Sequence, residues 1–175
     1  VRTGEITKPH KTDMKRMLDA IQEAARQADY VLVSIHSHEM KDGRNDTPAD
    51  FLVQCSRACI DAGAHAILGH GPHVVRGIEV YKNRPIFYSL GNFIFQNETF
   101  ERLPADFYEK YDLDFRHNTA DAYDARSLNG KRGLATHPDV WKSFVAEWTM
   151  KDGELQSMKL HPIELGFELP RYRMG

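Results

Sequence analysis

Two short apolar runs, Tyr30-Val31-Leu32-Val33-Ser34-Ile35 and His65-Ala66-Ile67-Leu68, flank a stretch of helical period, and a histidine stands within two residues after each run. Short β-branched runs bounded by polar turns read as buried strands. Between them, Phe51, Leu52, Cys55, Ala58, Cys59 and Ala62 fall on one helical stripe. Thr47-Pro48-Ala49-Asp50 predicts the start of that helix, with Thr47 at the N-cap, Pro48 at N1 and Asp50 at N3. Gly63 predicts its stop. A strand–helix–strand unit closes through a right-handed crossover. If the two strands are parallel neighbours, their carboxyl ends share one edge of a sheet.

The flanking sequence extends this into one α/β domain over residues 1–175. Upstream, Met14, Met17, Leu18, Ile21, Ala25 and Ala28 recur at helical spacing, so an amphipathic helix is expected over Lys11–Ala28, capped by Thr12 or Asp13. Lys41–Asp46 reads as a polar loop. Downstream, Val74–Tyr81 and Pro85–Leu90 predict an antiparallel hairpin turning at Lys82-Asn83-Arg84. Residues 97–139 contain no Val or Ile and read as an excursion. Short helices are expected there, one opening at Pro104 and one capped by Thr119 and closed by Asn129-Gly130. Such a segment serves as a lid or partner surface, or as packed decoration. Val140–Met150 and Leu155–Leu165 flank Asp152-Gly153, a strong hairpin signal, so the chain is expected to end in an antiparallel hairpin.

Composition removes several functions. The chain has 41% apolar and 27% charged residues, which is globular rather than disordered. Lys and Arg number 23 against 25 Asp and Glu, a net charge of −2 that gives no electrostatic case for nucleic acid or an anionic membrane. No apolar run approaches the ~20 residues of a membrane span. Cys55 and Cys59, four apart on one helical face, read as small buried hydrophobes rather than a disulfide.

Three histidines carry the chemistry. His36 follows Ile35, while His70 and His73 bracket Gly71-Pro72 just beyond Leu68. Sites in open α/β sheets collect outside the carboxyl ends of strands. Neutral imidazole is a good ligand for Zn, Fe and Mn. Gly69 and Gly71 allow a tight bend and Pro72 fixes φ, so His70 and His73 can converge. Together these features favour a divalent metal site over three separate structural histidines. His10, His65, His117, His137 and His161 are scattered and read as surface or core packing.

The run Asp61-Ala62-Gly63-Ala64 through Ile67-Leu68-Gly69-His70-Gly71-Pro72-His73-Val74 resembles a segment of the CapA-type capsule synthesis proteins. The similarity continues through Ile78-Glu79-Val80-Tyr81 and Pro85-Ile86-Phe87-Tyr88-Ser89-Leu90-Gly91-Asn92-Phe93-Ile94-Phe95, and the closing hairpin also fits. That family is named for poly-γ-glutamate capsule biosynthesis and belongs to the calcineurin-like metallophosphoesterase superfamily. The resemblance implies a four-layer α/β sandwich and one or two divalent metals (Mn, Fe or Zn), with His36, His70 and His73 as ligands. It implies hydrolysis of a phosphoester, or transfer of a phosphoryl or acyl group, in making or exporting an anionic surface polymer. It also places Asn92 near the metal centre, where the alternative is a turn-forming Asn, and implies work at or outside the cell membrane.

Two departures shape these expectations. The family commonly reads His-Trp-Gly-x-Glu after the strand, and here the order is His36-Ser37-His38-Glu39. Glu39 is the candidate replacement for the family glutamate. Three roles are open to His38: a further ligand, a general acid for a leaving group, and an ordinary exposed loop residue. The superfamily's N-terminal Gly-Asp and Asn-Asn-His ligand motifs do not occur in this sequence. Together with the opening at Val1 and the closing run Leu169–Gly175, this predicts the C-terminal half of a domain whose partner is its own N-terminal half. A non-catalytic scaffold or export subunit among capsule synthase components is the second reading. A stand-alone hydrolase with one metal on three histidines is the third.

Overall fold

A computed structural model describes residues 4–96, 99–170 and 173. Val1-Arg2-Thr3, the first two residues of the excursion (Asn97 and Glu98), and Arg171, Tyr172, Met174 and Gly175 of the closing run lie outside the described residues. In chain order the elements are α1 (Lys11–Ala25), β1 (Leu32–His36), β2 (Met40–Lys41), β3 (Arg44–Pro48), α2 (Asp50–Asp61), β4 (Ala66–His70), β5 (Ile78–Tyr81) and β6 (Arg84–Phe87). The excursion then supplies α3 (Ala105–Lys110) and α4 (Thr119–Ser127), with 3-10 turns at Leu134–Thr136 and Pro138–Trp141. A long hairpin of β7 (Lys142–Lys151) and β8 (Glu154–Glu164) follows.

The main sheet has the order β1-β4-β6-β5. β1 pairs parallel to β4 and β4 parallel to β6, while β5 pairs antiparallel to β6, so the fold mixes α and β with both sheet types. Strand alternation then sorts the faces. Val33, Ile67 and Ile86 form one row across β1, β4 and β6 and face the helices, where they join Ile21 of α1 and Leu52, Cys55, Cys59 and Ile60 of α2 in one core. The next row, Ser34, Leu68 and Phe87, points to the opposite face. There Phe87 stacks on Phe144 and Trp148 of β7, so the closing hairpin covers this face at β6. At the edge strand β1 the same face is open: Leu32 is 52% exposed. Both cysteines are buried and free, as their spacing predicts.

Arg84 fastens the two hairpins together. Its Nη1 donates to the Ala64 carbonyl at 2.8 Å and its Nε to the Gly153 carbonyl at 3.2 Å, and the Leu155 N–H donates to the Asn83 carbonyl at 2.9 Å. Both tips are two-residue turns with positive φ at each position, Lys82-Asn83 and Asp152-Gly153, the twist-matched geometry of tight hairpins.

Several boundaries differ from the expectations. The helix does not begin at Thr47-Pro48: those residues end β3, Ala49 is the N-cap, and α2 starts at Asp50. The predicted polar loop is instead a two-stranded ribbon, β2–β3. Asn45 explains much of this, since its Nδ2 donates to the Pro72 carbonyl at 3.1 Å and its own carbonyl accepts from Arg76. α1 ends at Ala25 rather than Ala28 and is preceded by His10 rather than Thr12 or Asp13. The first hairpin is shorter than predicted, with an isolated Val75–Leu90 bridge beyond its paired strands. Asn118, not Thr119, caps α4, because its side chain accepts from Ala120 and Asp121 while Asp121 reaches back to its N–H. The helix opening at Pro104 stands as expected.

Candidate functional site

His36 and His70 are the last residues of β1 and β4, directly opposite in register. Beyond them the chain turns tightly, with the Ser37 N–H donating to the His70 carbonyl at 2.9 Å. The two glycines around His70 are required. A Cβ at Gly69 would press on the Tyr88 carbonyl and stand 2.6 Å from that of Phe87, and one at Gly71, where φ is +122°, would stand 3.0 Å from the Ser37 oxygen. A side chain at either position would push the His70 loop off the neighbouring backbone.

The imidazoles form a continuous chain. His36 Nδ1 lies 3.0 Å from His70 Nδ1, and His36 Nε2 lies 3.0 Å from His38 Nε2. His70 Nε2 is 2.8 Å from the Ser34 hydroxyl on the same face of the sheet. A neutral imidazole donates from one nitrogen and accepts at the other. The series Ser34–His70–His36–His38 is therefore satisfied in full by neutral rings, with every bond running the same way. Burial, with His36 adding to it, holds His70 below its ordinary value, which favours that neutral form.

His73 stands at the other side of His38, with ring centroids 6.0 Å apart. Its φ of +61° is uncommon outside glycine. Asn92 secures it: Oδ1 accepts from His73 Nδ1 at 2.8 Å, and Nδ2 donates to the Val140 carbonyl at 3.0 Å and to that of His73 at 3.4 Å. The structure thus gathers His36, His38, His70, His73 and Asn92. Glu39 is engaged differently. Its carboxylate accepts from the buried Ser37 hydroxyl at 2.8 Å, and this bond is the main reason its acidity is raised.

Two contributors escaped the reading from sequence. Ser34 looks like an ordinary strand residue, and only the register brings it to His70. Arg76 is buried behind the loop, donating from Nη2 to the His38 carbonyl at 3.3 Å, and among the described residues its Nη1 has no hydrogen-bond partner. Burial pulls its guanidinium below the ordinary value, opposed by Glu39 and Asp46. A lone Arg in a strand-like run offers no signal of this.

In kind, these donors fit a divalent ion, since four imidazoles stand at one open sheet edge. In spacing they fit pairwise: two nitrogens on one tetrahedral zinc lie about 3.3 Å apart, given bonds of 2.0–2.1 Å. Among the described residues no three His, Cys, Asp or Glu side chains converge as a complete ligand set.

Comparison with known proteins agrees with the motif. The family model described as "Bacterial capsule synthesis protein PGA_cap" matches residues 2–97. "Uncharacterized protein y4sH" of Sinorhizobium fredii (strain NBRC 101917 / NGR234) is 38% identical over 162 residues, covering 89% of this chain and 35% of that protein. "PGA biosynthesis protein CapA" of Bacillus subtilis (strain 168) is 48% identical over 83 residues, 47% of this chain and 21% of that one. "Capsule biosynthesis protein CapA" of Bacillus anthracis is 46% identical over 68 residues, 39% of this chain and 16% of that one. The chain therefore spans about a third or less of the length of these curated relatives.

Proposed function

We propose, from the premise that this chain belongs to the bacterial capsule synthesis protein family, that its histidine edge is part of a metal-dependent, phosphoesterase-type site serving an anionic surface polymer, poly-γ-glutamate or a relative of it. The observation that carries this reading is the register pairing of His36 with His70 at the ends of parallel strands. His36 and His70 would hold the ion in place of the hydrogen bond they share, through the Nδ1 atoms that now face each other, and His73 through Nε2. When bound, a divalent ion supplies Lewis-acid charge and a water of lowered pKa, the chemistry of phosphoester hydrolysis.

The remaining work falls to the chain's own groups. Ser34 orients His70 and Asn92 orients His73, the outer-shell support that ligating histidines commonly have. His38 is exposed and ends the imidazole chain; with its Nε2 taken by His36, Nδ1 is the nitrogen that would hold a proton for a leaving group. Arg76 holds the His38 loop through its backbone. The open face of β1 suits the rest of a four-layer sandwich, which would bring further ligands from the N-terminal half. Work at or outside the membrane accords with this role. Among the described residues no helix is long and apolar enough to cross a membrane.

One observation favours a second reading. No complete ligand set converges among the described residues, as in a non-catalytic scaffold that binds capsule synthase components. Metal analysis by plasma mass spectrometry on tag-free protein separates the two, with a His70→Ala/His73→Ala variant and p-nitrophenyl phosphate turnover alongside. Metal that is lost in the variant, with turnover rising as the N-terminal half is restored, is the expected result. Metal-free folded protein that captures synthase components would leave the scaffold.

A further inference from the structure

Beyond His73 lies a cleft of about 730 Å³ whose far walls come from the excursion. That volume is in the range of small-molecule sites, roughly 300–1,000 Å³. Three cations line it: Lys110 at the end of α3, Arg126 in the last turn of α4, and Arg132 in the following loop. Among the described residues no carboxylate does. This sorting is not inherited from composition, because acidic side chains outnumber basic ones across residues 99–139. Two of those acids are used elsewhere: Asp114 pairs with Arg116, and Asp121 closes the α4 capping box.

Helix ends favour cations, which accounts locally for Lys110 and Arg126. It does not account for Arg132, or for the lack of any ion pair to the three among the described residues. Tyr111 and Tyr123 are on the same walls, and the Lys110 ammonium stands 5.8 Å from the Tyr111 ring centroid. The cleft thus presents three positive charges with no carboxylate paired to them among the described residues, an arrangement that recognises oxyanions. His73 is part of its wall, so the cleft is continuous with the histidine edge.

We infer that this cleft binds a ligand carrying at least two oxyanion groups, carboxylate or phosphate, which extends from the histidine site across Lys110, Arg126 and Arg132. The inference rests on the proposed site only for what occupies the His73 end. Charge-assisted contacts of this kind are salt-sensitive and their loss is measurable in affinity.

Titration calorimetry on the chain, with tripolyphosphate and with a five-residue glutamate oligomer as probes, tests it. Arg126→Gln/Arg132→Gln should weaken binding roughly tenfold or more. Lys131→Gln/Lys159→Gln removes the same charge outside the cleft and should change little. His36→Ala/His70→Ala should retain binding even if it abolishes metal, which keeps failure of the cleft distinct from failure of the proposed site. Binding of either probe with this pattern supports the inference and tells phosphate from carboxylate. Absence of binding by both probes at millimolar concentration, or equal losses in the two charge variants, would overturn it. So would binding that depends on His36 and His70 and ignores Arg126 and Arg132.

Discussion

His36 and His70 meet across the last register position of a parallel strand pair, with their Nδ1 atoms 3.0 Å apart. At that distance one nitrogen donates and the other accepts, because an N···N contact this short needs a ring N–H on one side and a lone pair on the other. The pair is continued on both sides, by Ser34 at one end and His38 at the other. An edge strand thereby supplies the Ser34 hydroxyl, an oxygen that accepts the His70 Nε2–H when Nδ1 serves as the ligand.

Ser34→Ala is accordingly expected to lower divalent metal affinity about tenfold while leaving stability nearly unchanged. Loss of an outer-shell partner costs roughly 10–100-fold in affinity, and Ser34 is exposed, so no buried group is orphaned. Competition titration with a chromogenic chelator reads the first effect and thermal unfolding the second. Unaltered affinity would show that Ser34 does not orient His70.

Gly69→Ala should be among the most damaging single changes. The added methyl meets the Phe87 and Tyr88 carbonyls, both backbone atoms that cannot rotate away. Separating β4 from β6 to admit it is expected to cost roughly 3 kcal/mol or more, or to prevent folding. Gly77→Ala is the matched control, since nothing lies within 4 Å of its Cβ position, and it should stay within about 0.5 kcal/mol. Urea unfolding of both variants makes the comparison.

The Gly69 clash also shows what sequence conveys here and what it does not. The strand–helix–strand unit and the placing of His36 and His70 side by side at one sheet edge are legible because apolar periodicity, glycine and crossover handedness are local or nearly universal rules. Thr47-Pro48 obeys the same local rules and misleads. Its helix-start chemistry loses to the ribbon that Asn45, Pro72 and Arg76 build from distant parts of the chain. Ser34 beside His70, buried Arg76 and the sorting of Lys110, Arg126 and Arg132 onto one cleft are likewise products of tertiary approach. No window of sequence contains them.

Stability should fall as pH drops below 6.5, in part through His65. Its Nδ1 accepts the Val31 N–H at 3.1 Å, which requires an unprotonated nitrogen. Burial, and then the charge of Arg84, hold its pKa below the ordinary 6.5. The unfolded chain, titrating near 6.5, takes up the proton first, so stability present above that pH is lost as pH falls through it toward the folded pKa. One such group contributes at most ~1.4 kcal/mol per pH unit. His70 is shifted in the same direction, so His65→Gln should flatten the dependence without abolishing it. Urea midpoints at several pH values test this, and an unchanged slope would remove His65 from the account.

Asn92 determines which nitrogen His73 offers. Both Nδ2 contacts of the amide go to carbonyl oxygens, of Val140 and of His73 itself, and this leaves Oδ1 toward the ring. Oδ1 can only accept, so His73 carries its proton on Nδ1 and presents the lone pair of Nε2. Asn92→Ala should release that tautomer and break the link to Val140, at a cost of about 1–3 kcal/mol. Asn92→Asp keeps an acceptor for Nδ1 and loses only the donated bonds, so it should retain the Nδ1–H form. Nitrogen-15 shifts of the His73 ring distinguish the two variants. If the ring stays in the Nδ1–H form in Asn92→Ala, the tautomer is set by something other than Asn92, and its part in the site reduces to tying the His73 loop to Val140.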